Sequence, residues 1–235
     1  MESSLVAVLS LGFFLGLKHA TDADHVVAVT TFVSRERSLL RSCWIGLFWG
    51  TGHTLSLAVA GSLIILFKLN ISERLTGWLE LGVAAMLVFL GARVLYQAWK
   101  ENLRLHRHSH SHVPGTKPHS HWHLHTPGHT DEHTGWLHFS IRPLVVGMIH
   151  GAAGTGALML LVLSTIHSPL QALMYIVIFG VGSVAGMLVV SFLLAVPLQW
   201  AAQNVASGYR FIQAAAGVLS CAFGIYLGAD ILGKF

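Results

Sequence analysis

Apolar positions run through this chain in six long blocks, at about residues 4–33, 42–69, 73–99, 140–166, 170–202 and 208–232. Each is longer than the roughly 20 residues a helix needs to cross about 30 Å of hydrocarbon, so the pattern predicts six transmembrane helices with tilts, kinks or interfacial ends. Pro197 is expected to kink or end the fifth. The connections are short, except for one linker from Glu101 to about His138.

Composition agrees with this pattern. Of 235 residues 54% are hydrophobic and 10% charged, and the mean hydropathy is +0.65. A soluble domain carries about 25% charged residues, so the chain reads as an all-α polytopic membrane protein. The first block is too long and too polar for a removable signal peptide and is expected to stay in the mature protein. Cys43 and Cys221 form no CxxC pair and read as small core residues. The basic residues are not interleaved with aromatics on a soluble face, which argues against nucleic acid as a partner.

Charge placement instead predicts orientation. Arg35, Arg37 and Arg41 lie in the first connection, Lys100, Arg104, Arg107, Lys117 and Arg142 in or beside the third, and Arg210 beside the fifth; the other side has Lys68, Arg74 and Lys234. By the positive-inside rule the odd connections face the cytoplasm of an inner, cell-type membrane, and both termini face outward.

The two halves resemble each other. Gly147-Met148-Ile149-His150-Gly151 parallels Gly16-Leu17-Lys18-His19-Ala20; Phe179-Gly180-Val181-Gly182-Ser183 parallels Trp49-Gly50-Thr51-Gly52-His53; Gln213 and Gly224 parallel Glu80 and Gly91. Three helices is an odd number, so a second copy must enter from the opposite side. The domain organisation this predicts is a first three-helix repeat at 1–100, a His-rich cytoplasmic linker at 101–138 disordered without metal, and a second, inverted three-helix repeat at 139–235, with a substrate site near the midplane.

The chemistry concentrates in Gly16-Leu17-Lys18-His19-Ala20-Thr21-Asp22-Ala23-Asp24-His25. Ionisable groups inside a membrane are costly and mark function by default. Imidazole and carboxylate together suit divalent first-row metals, with nickel, cobalt, zinc and copper all open. On an ideal helix His19, Asp22 and His25 share an arc of about 120°, while Asp24 points elsewhere. Asp24 then either orients an imidazole or joins the site through a local break in the helix. Lys18 either snorkels or neutralises Asp22. His53 follows two glycines that allow close helix approach, and reads as a ligand or a partner of one. His150 opens a glycine-rich stretch to Gly156 that either packs closely or unwinds to line a cavity; as the mate of His19 it is expected to face the same cavity. The metal-site candidates are therefore His19, Asp22, Asp24, His25, His53 and His150.

Eleven of the sixteen histidines lie in the linker, His106, His108, His110 and His112 and then His119, His121, His123 and His125 alternating along it. Alternation in an extended chain puts imidazoles on one face, which predicts a metal-binding tract that buffers or senses metal.

His19-Ala20-Thr21-Asp22-Ala23-Asp24-His25 resembles the His-x4-Asp-His signature of the nickel/cobalt transporter family, including its urease-accessory-type permease branch, and Gly50-Thr51-Gly52-His53-Thr54 resembles a second patch of that family. The resemblance implies that the signature helix recognises metal and that the chain is a permease for nickel or cobalt dications. These are transported substrates; no cofactor is expected. It tips direction toward uptake, with efflux open, and leaves room for a cytosolic metallochaperone as partner beside the lipid bilayer. A rival is an intramembrane metalloenzyme using the same ligands; the absence of an HExxH pair and of an obvious general acid counts against it, so no enzyme is expected. A metal sensor merely anchored by its helices leaves the buried ionisable groups unexplained.

Overall fold

The computed structural model describes residues 2–36, 38–69, 72–103, 107–110, 119–122, 140–153, 166 and 168–234. The helices in chain order are α1 (Glu2–His19), α2 (Ala23–Val33), α3 (Leu39–Phe67), α4 (Glu73–Leu103), α5 (residues 140–153), α6 (Pro169–Asn204) and α7 (Ala206–Leu232). Between α4 and α5 a short antiparallel pair, β1 (Arg107–His110) and β2 (His119–Trp122), sets His108 opposite His121 and His110 opposite His119.

Helices α3, α4, α6 and α7 are each long and apolar enough to cross a membrane, and α1 with α2 is apolar enough as a pair, bent by 54° at the break between them. The chain is thus a multi-pass membrane protein. Its surface fits that setting. Phe89, Leu193 and Phe211 are 64%, 61% and 75% exposed, whereas His25, His53, His150, Ser183, Ser191 and Gln213 are buried. Greasy outside and polar inside is the arrangement that hydrocarbon as solvent selects.

One sequence expectation changes, and of another one alternative is removed. The first block is not one helix: it breaks at residues 20–22, for reasons that belong to the site. Pro197 does not end the fifth block, since α6 runs through it to Asn204. For the fourth block only residues 140–153 and 166 are described; Gly154 and Gly156, where unwinding was considered, lie outside the described residues, as do the remainder of the linker and its His106, His112, His123, His125, His129, His133 and His138.

Helix α3 packs along α6, α4 along α7 and α1 along α6. Glycines set the close approaches, and they do so in matched pairs. A methyl group on Gly16 would strike the carbonyl of Phe179, and one on Gly147 would strike that of Trp49. Gly182 lies against the Phe13 carbonyl as Gly52 does against that of Leu144. Gly91 meets Gly217 and Cys221, while Gly224 meets Ala84 and Val88. Between α4 and α7 the Ser220 hydroxyl donates to the Leu87 carbonyl (2.7 Å) and the Cys221 thiol to that of Val88 (3.5 Å). In a bilayer such small-residue contacts take the place of hydrophobic association, because dispersion and backbone proximity are what remain.

Candidate metal centre

The site is built on the break between α1 and α2. Helix α1 ends in tightened turns, with Thr21 N–H bonded to the Lys18 carbonyl (2.8 Å) and Asp22 N–H to that of His19 (3.0 Å). The Thr21 hydroxyl donates back to the Lys18 carbonyl (2.6 Å). Asp22 then turns to φ −62°, ψ 146° as the residue before α2, and its carbonyl accepts from Val26 N–H (3.0 Å). Thr and Asp favour such local bonding over a continuing helix, and the extended conformation of Asp22 starts a new one. Ala20, fully buried, seats the corner against Gly186 of α6.

The carboxylate of Asp22 does not cap α2. It accepts from Nδ1 of His19 at 2.7 Å. Lys18 makes no ion pair among the described residues, so the neutralisation of Asp22 by Lys18 is replaced by this imidazole contact. Asp24 accepts at Oδ1 from both the ring Nδ1 and the backbone N–H of His25 (2.9 Å each), and at Oδ2 from Nε2 of His150 (2.7 Å). An ionised carboxylate can only accept, so each bonded nitrogen carries its proton and the other ring nitrogen keeps a free lone pair.

Those free nitrogens converge. His19 Nε2, His25 Nε2, both nitrogens of His53 and His150 Nδ1 are buried with no partner among the described residues. Orphaned buried polar atoms are rare and call for an explanation such as an ion. One nitrogen from each of His19, His25 and His53 lies within 4.8 Å of the other two, close enough for one cation to draw them together. Ring centroids are 4.4 Å apart for His19–His25, 5.0 Å for His25–His53 and 5.3 Å for His19–His53. A second group, Asp24, His25 and His150, meets the same criterion and shares His25 with the first.

All six candidate residues therefore meet at one centre, but in different roles from those a straight helix suggests. Asp22 and Asp24 hold imidazoles, and His53 of α3 supplies the third nitrogen of the all-imidazole trio. His53 reaches it because Gly151 packs on the His53 backbone and Gly52 on that of Leu144, drawing α5 against α3 and bringing His150 in as well. The rings of His53 and His150 are buried, while the Asp22 and Asp24 side chains are 42% and 30% exposed, so the site opens along the helix break.

Trp49 was not legible as part of the site. Its fully buried ring stands 5.6 Å from both His25 and His150. In sequence it shows only as one aromatic residue beside Gly50. Phe179 of α6 closes the other flank, 5.5 Å from His19.

No family model matches the chain, and no solved structure does. Among curated proteins, it is 38% identical over 228 residues to urease accessory protein UreH of Bacillus sp. (strain TB-90), an alignment covering 96% of this chain and 92% of that one. Likeness of this depth across nearly the whole of both sequences, with the imidazole centre lying inside it, places the chain in the family of urease accessory protein UreH.

Proposed function

We propose that this protein is a permease that carries nickel or cobalt dications through the bilayer, with His19, His25 and His53 as the ligands that replace the ion's water and Asp22 and Asp24 as the carboxylates that orient them. The observation that carries this is the set of three imidazoles with unpartnered nitrogens at a helix break, two of them locked in the metal-ready tautomer. A ligand set of imidazole nitrogen without thiolate suits nickel, cobalt and zinc, and disfavours magnesium and calcium, which take oxygen. His150 joins as the proton donor to Asp24 and as a reserve ligand through Nδ1.

The helices form two inverted triplets, 1–100 and 139–235, joined by the cytoplasmic His-rich linker 101–138, with both termini outside. The matched glycine contacts support this reading, since each contact made by one half recurs with the halves exchanged. So do Ser220 and Cys221, which bond residues 133 positions before them across α4 and α7, as residues at a twofold axis would. The site between the halves is then exposed alternately to either face. Uptake is the direction that fits an accessory of urease, a role printed for the relative and carried here as an expectation of metal supply. The linker buffers metal or hands it to a cytosolic chaperone.

The test is uptake of radioactive nickel into sealed vesicles holding purified protein. Wild type and a deletion of residues 106–138 accumulate nickel, and His19→Ala falls to background. Stoichiometric binding without uptake by any of them overturns the transport reading in favour of a sensor or an enzyme.

A further inference from the structure

Away from the metal centre, one cavity of about 200 Å³ gathers charge that a dication pathway does not call for. Arg35 and Glu36 line it from the end of α2, Arg93 from within α4 and Arg142 from the start of α5, with Thr31 beside them. Arg93 and Glu36 are half-buried; Arg35 and Arg142 are exposed. The guanidinium of Arg93 lies in the field of both Arg142 and Arg35, so the three cations face one another across the space. Among the described residues none of the three has a carboxylate within ion-pair distance.

Three cations and one carboxylate leave an excess of two positive charges. Glu36 compensates poorly: burial pushes its carboxyl above the ordinary range, against the pull of Arg41 and Arg35. Arg93 is the costliest member, because it sits in an apolar run where a charge is retained only for a partner. Like charges held together with too little counter-charge among the described residues amount to a preformed anion site. The guanidinium fork matches phosphate oxygens two at a time, and basic pockets between membrane helices take acidic headgroups. Nickel itself is repelled here.

We propose that this cavity binds a phosphate oxyanion through Arg35, Arg93 and Arg142, the phosphate being the headgroup diester of an acidic phospholipid or free inorganic phosphate. The site is independent of the metal centre, and its test needs no nickel flux.

Purified full-length protein in phosphatidylcholine nanodiscs is titrated in two arms, one with rising phosphatidylglycerol in the disc and one with inorganic phosphate in the buffer, reading the thermal midpoint. Saturable stabilisation in either arm supports the site and names the source. Arg142→Gln and Arg93→Gln weaken it roughly tenfold, the loss of one charge-assisted contact. Glu36→Gln strengthens it, a gain that misfolding cannot mimic and that stands even if Arg93→Gln does not fold. Arg74→Gln, at the far end of α4, leaves it unchanged. The proposal is overturned if neither arm saturates for wild type, if Arg142→Gln and Glu36→Gln titrate like wild type, or if Arg74→Gln weakens binding as much as Arg142→Gln does.

Discussion

Replacing Asp24 by Asn separates a carboxylate that binds the ion from one that holds its ligands. Asn keeps the size and loses the charge. Asp24 accepts three bonds, from His25 Nδ1 and backbone N–H at 2.9 Å and from His150 Nε2 at 2.7 Å. Each charge-assisted bond is worth about 1.5–3 kcal/mol net, and the amide oxygen of Asn can keep only part of that. More important is direction: the NH2 of Asn has no acceptor when it faces a protonated ring nitrogen, so either His25 or His150 must turn or change tautomer. Because only His25 belongs to the trio with His19 and His53, the penalty on ion binding is that of a loosened ligand, about 10–100-fold in affinity, or roughly 1.4–2.7 kcal/mol. His25→Ala, which deletes a ligand and opens a buried space, costs more.

The assay is nickel competition against a chromophoric chelator in detergent, with the linker histidines deleted so that only the membrane site reports. The thermal midpoint without metal checks that the fold survives. An Asp24→Asn affinity equal to wild type refutes the orienting role. A loss as large as that of His25→Ala makes Asp24 a direct ligand and places the ion in the Asp24, His25 and His150 group instead.

Further outcomes follow from the same geometry. His150→Ala lowers nickel affinity less than His53→Ala in that competition assay, since His150 acts through Asp24 whereas His53 offers its nitrogen directly. Gly147→Ala drives a methyl into the Trp49 carbonyl and separates α5 from α3, costing about 1–3 kcal/mol or more of stability. Gly82→Ala, with nothing within 4 Å, gains up to about 1 kcal/mol; thermal midpoints of the two variants decide. Glu36 gives a pH signature. Its carboxyl is raised in the folded protein, so the fold gains stability as pH falls through that raised value toward the ordinary 4.5 and loses it as pH rises again. Glu36→Gln removes this dependence and is the more stable form at pH 8, as thermal unfolding across pH 4.5–8 will show; equal slopes for the two proteins contradict it.

Much of the architecture was legible because a bilayer enforces simple rules on sequence. Long apolar blocks must be helices, as no other open structure satisfies its backbone in hydrocarbon, and ionisable residues inside them stand out by their cost. That is how His19, Asp22, Asp24, His25, His53 and His150 stood out as candidates, and the offsets near 131 between the halves pair the glycines whose contacts match. Arg93 carried the same signal, a lone charge in an apolar block, and was passed over because no second charged residue lies within a turn of it in sequence.

Roles were another matter. A 100° step per residue sends Asp24 away from His19, and only the 54° bend at residues 20–22 turns it toward His25 and His150. That bend depends on what Ala20 packs against on α6, a contact more than 160 positions distant in the chain. Likewise, the trio of His19, His25 and His53, the ring of Trp49 between two histidines and the meeting of Arg35, Arg93 and Arg142 join residues from three or more helices. Sequence by itself determined which groups the membrane would not tolerate without a purpose; the tertiary structure decided which nitrogens face one another, because periodicity along one helix says nothing about the rotation and distance of its neighbours.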